Sequence, residues 1–169
     1  METRYGAPVA GGEKEVLAGF LDHYRATIFE ICRGLSDDDL RRAVVPSGTS
    51  LLGIVKHLAH VERGWFQENV ANEPFDYPFD PDDDPDADFR IEPDETSEEI
   101  FELYRSACER SRRALAEASL DDPVENPRRS RDYNVRWVVV HMIEETARHA
   151  GHADIIREQL DGRTGAGYA

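Results

Sequence analysis

Apolar residues recur at three- and four-residue steps through four long stretches of this chain, a period that suits one face of an α-helix and no strand. From Glu13 to Arg33 the set is Val16, Leu17, Phe20, Leu21, Tyr24, Ile28 and Ile31, and Gly34 supplies the stop. From Ser50, a side chain suited to an N-cap, to Val70 it is Leu51, Leu52, Ile54, Val55, Leu58, Val61, Trp65 and Phe66. A third stretch opens at Thr96 or Ser97 and carries Ile100, Leu103, Tyr104, Ala107, Ala114 and Leu115 as far as Ala118. The fourth starts near Asn134 and runs through Trp137, Val138, Met142, Ile143, Ala147, Ile155 and Ile156 to Leu160, with Gly162 where a left-handed cap belongs. Val138, Val139 and Val140 form a β-branched run, but their neighbours keep the helical period. Ser36 and Asp39 resemble a capping box for a short helix ending at Arg42. The pattern predicts an all-α four-helix bundle, one domain over residues 1–169.

Between the second and third stretches, residues 73–93 hold five prolines and an aspartate-rich run, which predicts a long loop. Such a loop is either a solvated crossing between bundle ends or a shield over a site. Its D-P-D-D-D-P-D run lacks the glycine and the closing glutamate of a calcium-binding EF-hand loop. The formal net charge of -15 repels phosphate backbones and anionic lipid heads, which argues against nucleic acid and membrane surfaces as partners. Arg128, Arg129 and Arg131 form a small basic island against that background. No apolar run approaches the roughly 20 residues of a membrane span. The opening METRYGAPVAGGEKE lacks the basic start and apolar stretch of an export signal, so the expected location is the cytosol. Cys32 and Cys108 are too few for a disulfide framework or a zinc knuckle, and read as small buried hydrophobes.

The informative side chains are polar ones on apolar faces. On the last helix His141, Glu145, His149 and His152 fall within roughly 80° of one another at about 100° per residue, beside Val138, Met142 and Ile156. On the second helix His57 and His60 lie three apart in equally apolar surroundings. Buried imidazoles and carboxylates need partners, because burial without them costs several kcal/mol. Two readings of the residues stand side by side. In one, these are core histidines satisfied by hydrogen bonds. In the other, His57 faces Glu145 and His149 across two antiparallel helices, and the three hold one divalent ion such as Zn, Ni, Fe or Mn. Three protein ligands leave positions open for water or a substrate. His60, His141 and His152 then read as supporting or half-exposed groups.

The segments SLLGIVKHLAHVERGWF (Ser50 to Phe66) and RWVVVHMIEETARHAGHADIIREQLDG (Arg136 to Gly162) resemble the DinB-like superfamily, in a branch of uncharacterised members. The opening GEKEVLAGFLDHYRATIFEICRGLSDDDLRRAVVPSG fits the same branch. The resemblance implies an up-down-down-up four-helix bundle, commonly a homodimer, with a divalent metal on three side chains. The histidine of the H-L-A segment is His57. The other two ligands lie four apart on the last helix, at Glu145 and His149, the Glu-then-His version seen in relatives resembling mycothiol-dependent maleylpyruvate isomerase. Characterised relatives are isomerases and S-transferases that use mycothiol, bacillithiol or glutathione. The resemblance therefore implies a small-molecule thiol as partner. On chemical grounds His60 or His152, if near the open metal position, would serve as general base, and the arginine island or Arg136 would bind carboxylates of the thiol. A non-catalytic metal-binding protein is the alternative.

Overall fold

The computed structural model describes residues 6–74, 76–79, 83–84, 86–124 and 133–165. Four long helices dominate it: α1 (Glu13–Cys32), α3 (Leu51–Glu62), α4 (Ser97–Glu117) and α5 (Val135–Asp161), with the short α2 (Asp37–Arg41) between the first two. The all-α expectation holds, and the helix starts follow the capping chemistry. The hydroxyls of Ser36, Ser50 and Thr96 accept from the N–H groups of Asp39, Gly53 and Glu99, and the Asn134 side chain accepts from Trp137. Thr96 and Glu99 complete a reciprocal capping box, and Gly162 closes α5 at φ 76°.

The structure departs from the sequence reading in two places. The second long helix does not continue as one α-helix to Val70. From Arg63 to Val70 it widens to π register, with Ala71 N–H donating to Phe66 C=O at 2.8 Å; within it the Asn69 side-chain amide donates to Gly64 C=O at 2.7 Å. A two-residue antiparallel ladder, β1 (Pro123–Val124) with β2 (Tyr133–Asn134), precedes α5. Two-residue strands are too short to leave a period in the sequence. Residues 125–132, with the Arg128, Arg129 and Arg131 island, lie outside the described residues.

Contacts fix how the helices run. Arg136 meets Glu13, and Arg157 reaches Ile31 C=O, so α1 and α5 run the same way. His57 meets Glu145 while Trp65, later in the chain, meets His141, so the α3 segment and α5 run oppositely. The core between them holds Leu21, Leu51, Leu52, Val55, Leu58, Phe66, Tyr104, Val138, Val139 and Met142, all fully buried. Each such aliphatic or aromatic side chain contributes about 1.5–3 kcal/mol. One ion pair lies inside this core: Arg25 donates to both Glu62 oxygens, at 2.7 and 2.5 Å, and also to Asp22. No helix of the described residues is long and apolar enough to cross a membrane.

Candidate metal centre

His57, Glu145 and His149 each offer one ligand atom, and these atoms lie within 4.8 Å of one another. Glu145 Oε1 is the meeting point, 3.2 Å from His57 Nε2 and 3.3 Å from His149 Nε2. All three side chains are largely but not fully shielded from solvent. Helix geometry produces the arrangement directly. Glu145 and His149 are one turn apart on α5, and α3 passes across them with His57 on its facing side.

A residue that sequence reasoning missed completes the site. Asp88, at a 3₁₀ turn over Ala87–Phe89, places Oδ2 2.8 Å from His57 Nδ1. A carboxylate only accepts, so Nδ1 carries the proton and a neutral His57 presents a bare lone pair at Nε2. Phe89 stacks on the same imidazole, with ring centres 4.0 Å apart and planes 15° from parallel. The ring is thus fixed in both tautomer and tilt. Burial alone favours the neutral ring, but the hydrogen bonds and charges of Asp88 and Glu145 outweigh it and raise the His57 pKa above its ordinary value. With protons in place of a cation on the facing Nε2 atoms, hydrogen bonds from His149 and His57 hold the Glu145 carboxyl well below the usual carboxylate range.

The aspartate-rich loop is not simply a solvated crossing, because its described parts lie on α3. The Phe89 carbonyl approaches Gly53 so closely that a Cβ there would meet the oxygen at 2.5 Å. Lys56 donates to Arg90 C=O and to Glu95, both at 2.7 Å. The Tyr77 hydroxyl sits where a side chain on Gly64 would be, and Phe79 packs edge-on against His60. Lys56 and Gly53 of α3, with Gly64 of the π-register segment that continues it, are what let the loop descend onto the helix.

The remaining candidates separate. His60 is buried under Phe79, and burial pushes its pKa down to about 4, so it is a neutral packing group. His152 is exposed, with its ring edge toward His149 at 5.6 Å between centres. Burial, with the charges of His149 and Arg148, lowers its pKa. His141 lies apart from the trio, against Trp65 and Trp137. Arg136 is engaged by Glu13 and Asp121.

The trio fits a metal ion on two grounds. Ligand bonds of about 2.0–2.1 Å around a tetrahedral ion put neighbouring donor atoms roughly 3.4 Å apart, close to the 3.2 and 3.3 Å seen here. Moreover, a lone pair at His57 Nε2 facing a carboxylate oxygen is repulsive unless a proton or a cation lies between them.

Comparison with known proteins adds the following. A family model described as mycothiol-S-transferase matches residues 16–162. Among curated proteins nothing matches. Among solved structures, a conserved protein from Enterococcus faecalis is similar with a TM-score of 0.64 and 14% identity, covering 91% of this chain and 100% of that one. At that identity the likeness speaks for the fold alone.

Proposed function

The chain belongs to the mycothiol-S-transferase family, which is DinB-like, and from that premise we propose that it transfers the sulfur of a low-molecular-weight thiol to an electrophilic carbon. His57, Glu145 and His149 hold a divalent cation, and mycothiol or a similar thiol is the co-substrate. The convergence of two imidazole nitrogens on one carboxylate oxygen, with the far nitrogen of His57 already committed to Asp88, is the observation that carries the reading. A cation bound there lowers the pKa of a coordinated thiol, so that it persists as thiolate at neutral pH.

The chain's own groups supply the rest. Asp88 and Phe89 hold the His57 ring in place, so no reorientation accompanies binding. In the transfer the S–H bond yields its proton to a base, an S–C bond forms, and the leaving group departs with its bonding pair. In this reading His152, exposed beside His149, takes that proton. His60, enclosed under Phe79, serves instead as packing for the loop. Kinship also favours a homodimer as the working assembly and the cytosol as its location.

Two measurements test this. Elemental analysis of the native protein beside His57→Ala and His149→Ala is expected to give one metal per chain in the first and a large loss in the variants. Equal metal in all three would end the ligand assignment. In the Co(II)-substituted protein, added thiol is expected to change the visible spectrum. An indifferent spectrum would leave a metal-binding protein without thiol chemistry.

A further inference from the structure

Three large apolar side chains stand open to solvent on α5: Trp137 at 41% exposure, Val140 at 50% and Ile155 at 56%. With Glu144, Arg148 and Gly151, which are exposed as well, they fall within roughly 80° of one another at about 100° per residue. The stripe runs about 27 Å along the helix and is turned roughly 120° away from Glu145 and His149. Tyr133 and His141 flank the Trp137 ring, so what that residue adds to the stripe is its apolar rim.

Two features of the stripe are unexplained by contacts within one chain. Gly151 sits inside α5, where glycine weakens a helix relative to alanine, yet a Cβ built on it would meet nothing within 4 Å. Arg148 makes no ion pair among the described residues, although Glu144 precedes it by one turn on the same face, and Glu144 leans instead toward His141 at 3.7 Å. A twofold axis level with Thr146 accounts for both. Glu144 and Arg148 are each two positions from that level, Trp137 and Ile155 each nine, and Val140 and Gly151 six and five. A second α5 laid antiparallel on the first therefore brings Glu144 to Arg148 twice and Trp137 to Ile155 twice. It also sets Val140 against the bare backbone of Gly151, where the missing side chain lets the two helices approach. The chain's formal charge of -15 makes two copies repel over most of their surface, whereas this stripe carries one charge of each sign.

We propose that this stripe of α5 is the contact face of a homodimer, in which two copies meet antiparallel about a twofold axis at the level of Thr146. The occupant is a second copy because the residues on either side of that level complement one another in charge and in size, a match that only the same helix reversed supplies. The assembly that kinship favours thereby gains a surface, and it stands apart from thiol transfer, since the ligand trio lies off the stripe.

Sedimentation equilibrium of the Zn(II)-loaded full chain tests this. The native protein is expected to be a dimer that dissociates on dilution. Arg148→Glu sets like charges against each other at both symmetry-related contacts and is expected to raise the dissociation constant on the order of tenfold or more, as is Glu144→Arg. Combining the two changes in one chain exchanges the signs and is expected to restore the dimer, a result that neither misfolding nor a contact elsewhere would give. Gly151→Leu is expected to weaken the dimer while helical circular dichroism and metal content stay native. A native protein that remains monomeric at submillimolar concentration would overturn the face. So would a dimer indifferent to the charge reversals or to Gly151→Leu, or one that the combined change leaves as weak as either alone. A Co(II) spectrum indifferent to thiols would end the transfer reading and leave the dimer face untouched.

Discussion

Asp88 accepts a hydrogen bond from His57 across 2.8 Å, joining the most acidic loop of the chain to the most apolar of its long helices. One oxygen of Asp88 makes this bond, and the other, Oδ1, is buried without a hydrogen-bond partner among the described residues. A buried carboxylate kept with half its capacity unused points to a positioning role.

Replacing Asp88 is therefore expected to weaken metal binding without removing a ligand. Asp88→Ala should raise the Zn(II) dissociation constant on the order of ten- to a hundredfold, and Asp88→Asn by less, since an amide oxygen still accepts from Nδ1–H. Competition calorimetry against a chelator measures both. An affinity equal to the native value in Asp88→Ala would show that Phe89 and packing alone orient His57.

Gly53 tests the same geometry from farther away. Its missing side chain is what allows the Phe89 carbonyl to lie on α3, and an added Cβ would meet that oxygen at 2.5 Å. Gly53 is helical, so alanine there favours the helix by up to roughly 1 kcal/mol while pushing the loop off. Gly53→Ala is expected to retain its helical circular dichroism yet lose Zn(II) affinity in the same direction as Asp88→Ala. Native affinity in this variant would mean that the loop adapts without moving Asp88.

The helices, their caps and the three convergent side chains were legible because each leaves a local signature. Ser50, Thr96 and Asn134 announce starts, Gly162 announces an end, and the four-residue step from Glu145 to His149 survives on one helix face. Asp88 was illegible for the opposite reason. It is one aspartate of a run, and what distinguishes it is a tertiary contact between a loop and a helix. Its neighbours Ala87 and Phe89, apolar residues set into an acidic stretch, were the available hint. The π register after Glu62 leaves no compositional mark either, because α and π turns share residue preferences, and the extra residue shows only in the hydrogen bonds it shifts.

The two thiols give a pH prediction. Burial pushes Cys32 and Cys108 up to about 12, with Arg157 opposing it at the first, and with Glu62 adding to it and Arg25 opposing it at the second. The unfolded chain ionises near the ordinary thiol value of about 8.5. A folded-state pKa above the unfolded one means that stability is fully present below about pH 8.5 and is lost as pH rises toward 12. The slope approaches 1.4 kcal/mol per pH unit for each thiol. Urea midpoints are expected to fall between pH 8.5 and 10.5, and the fall to shrink in Cys32→Ala. Native protein should also resist alkylation by iodoacetamide at pH 8, and rapid labelling of either cysteine would contradict its burial.

The Arg25–Glu62 pair gives the sharpest stability prediction. Glu62 is fully buried and Arg25 nearly so, and the guanidinium makes a two-pronged contact with the carboxylate. Burial lowers the arginine pKa, but Glu62 more than offsets this, so Arg25 stays charged. Removing only the acid leaves that buried charge with the half-exposed Asp22 as its remaining carboxylate, in a core that includes Phe66, Tyr104 and Cys108. Glu62→Leu is expected to cost about 3–5 kcal/mol, whereas the double change Arg25→Met with Glu62→Leu should cost far less, because both desolvation penalties disappear together. Urea unfolding of the two variants and the native chain measures the difference. A double variant as unstable as the single one would show that the pair contributes through its shape and hydrogen bonds, and that the stranded charge is not what makes the single loss costly.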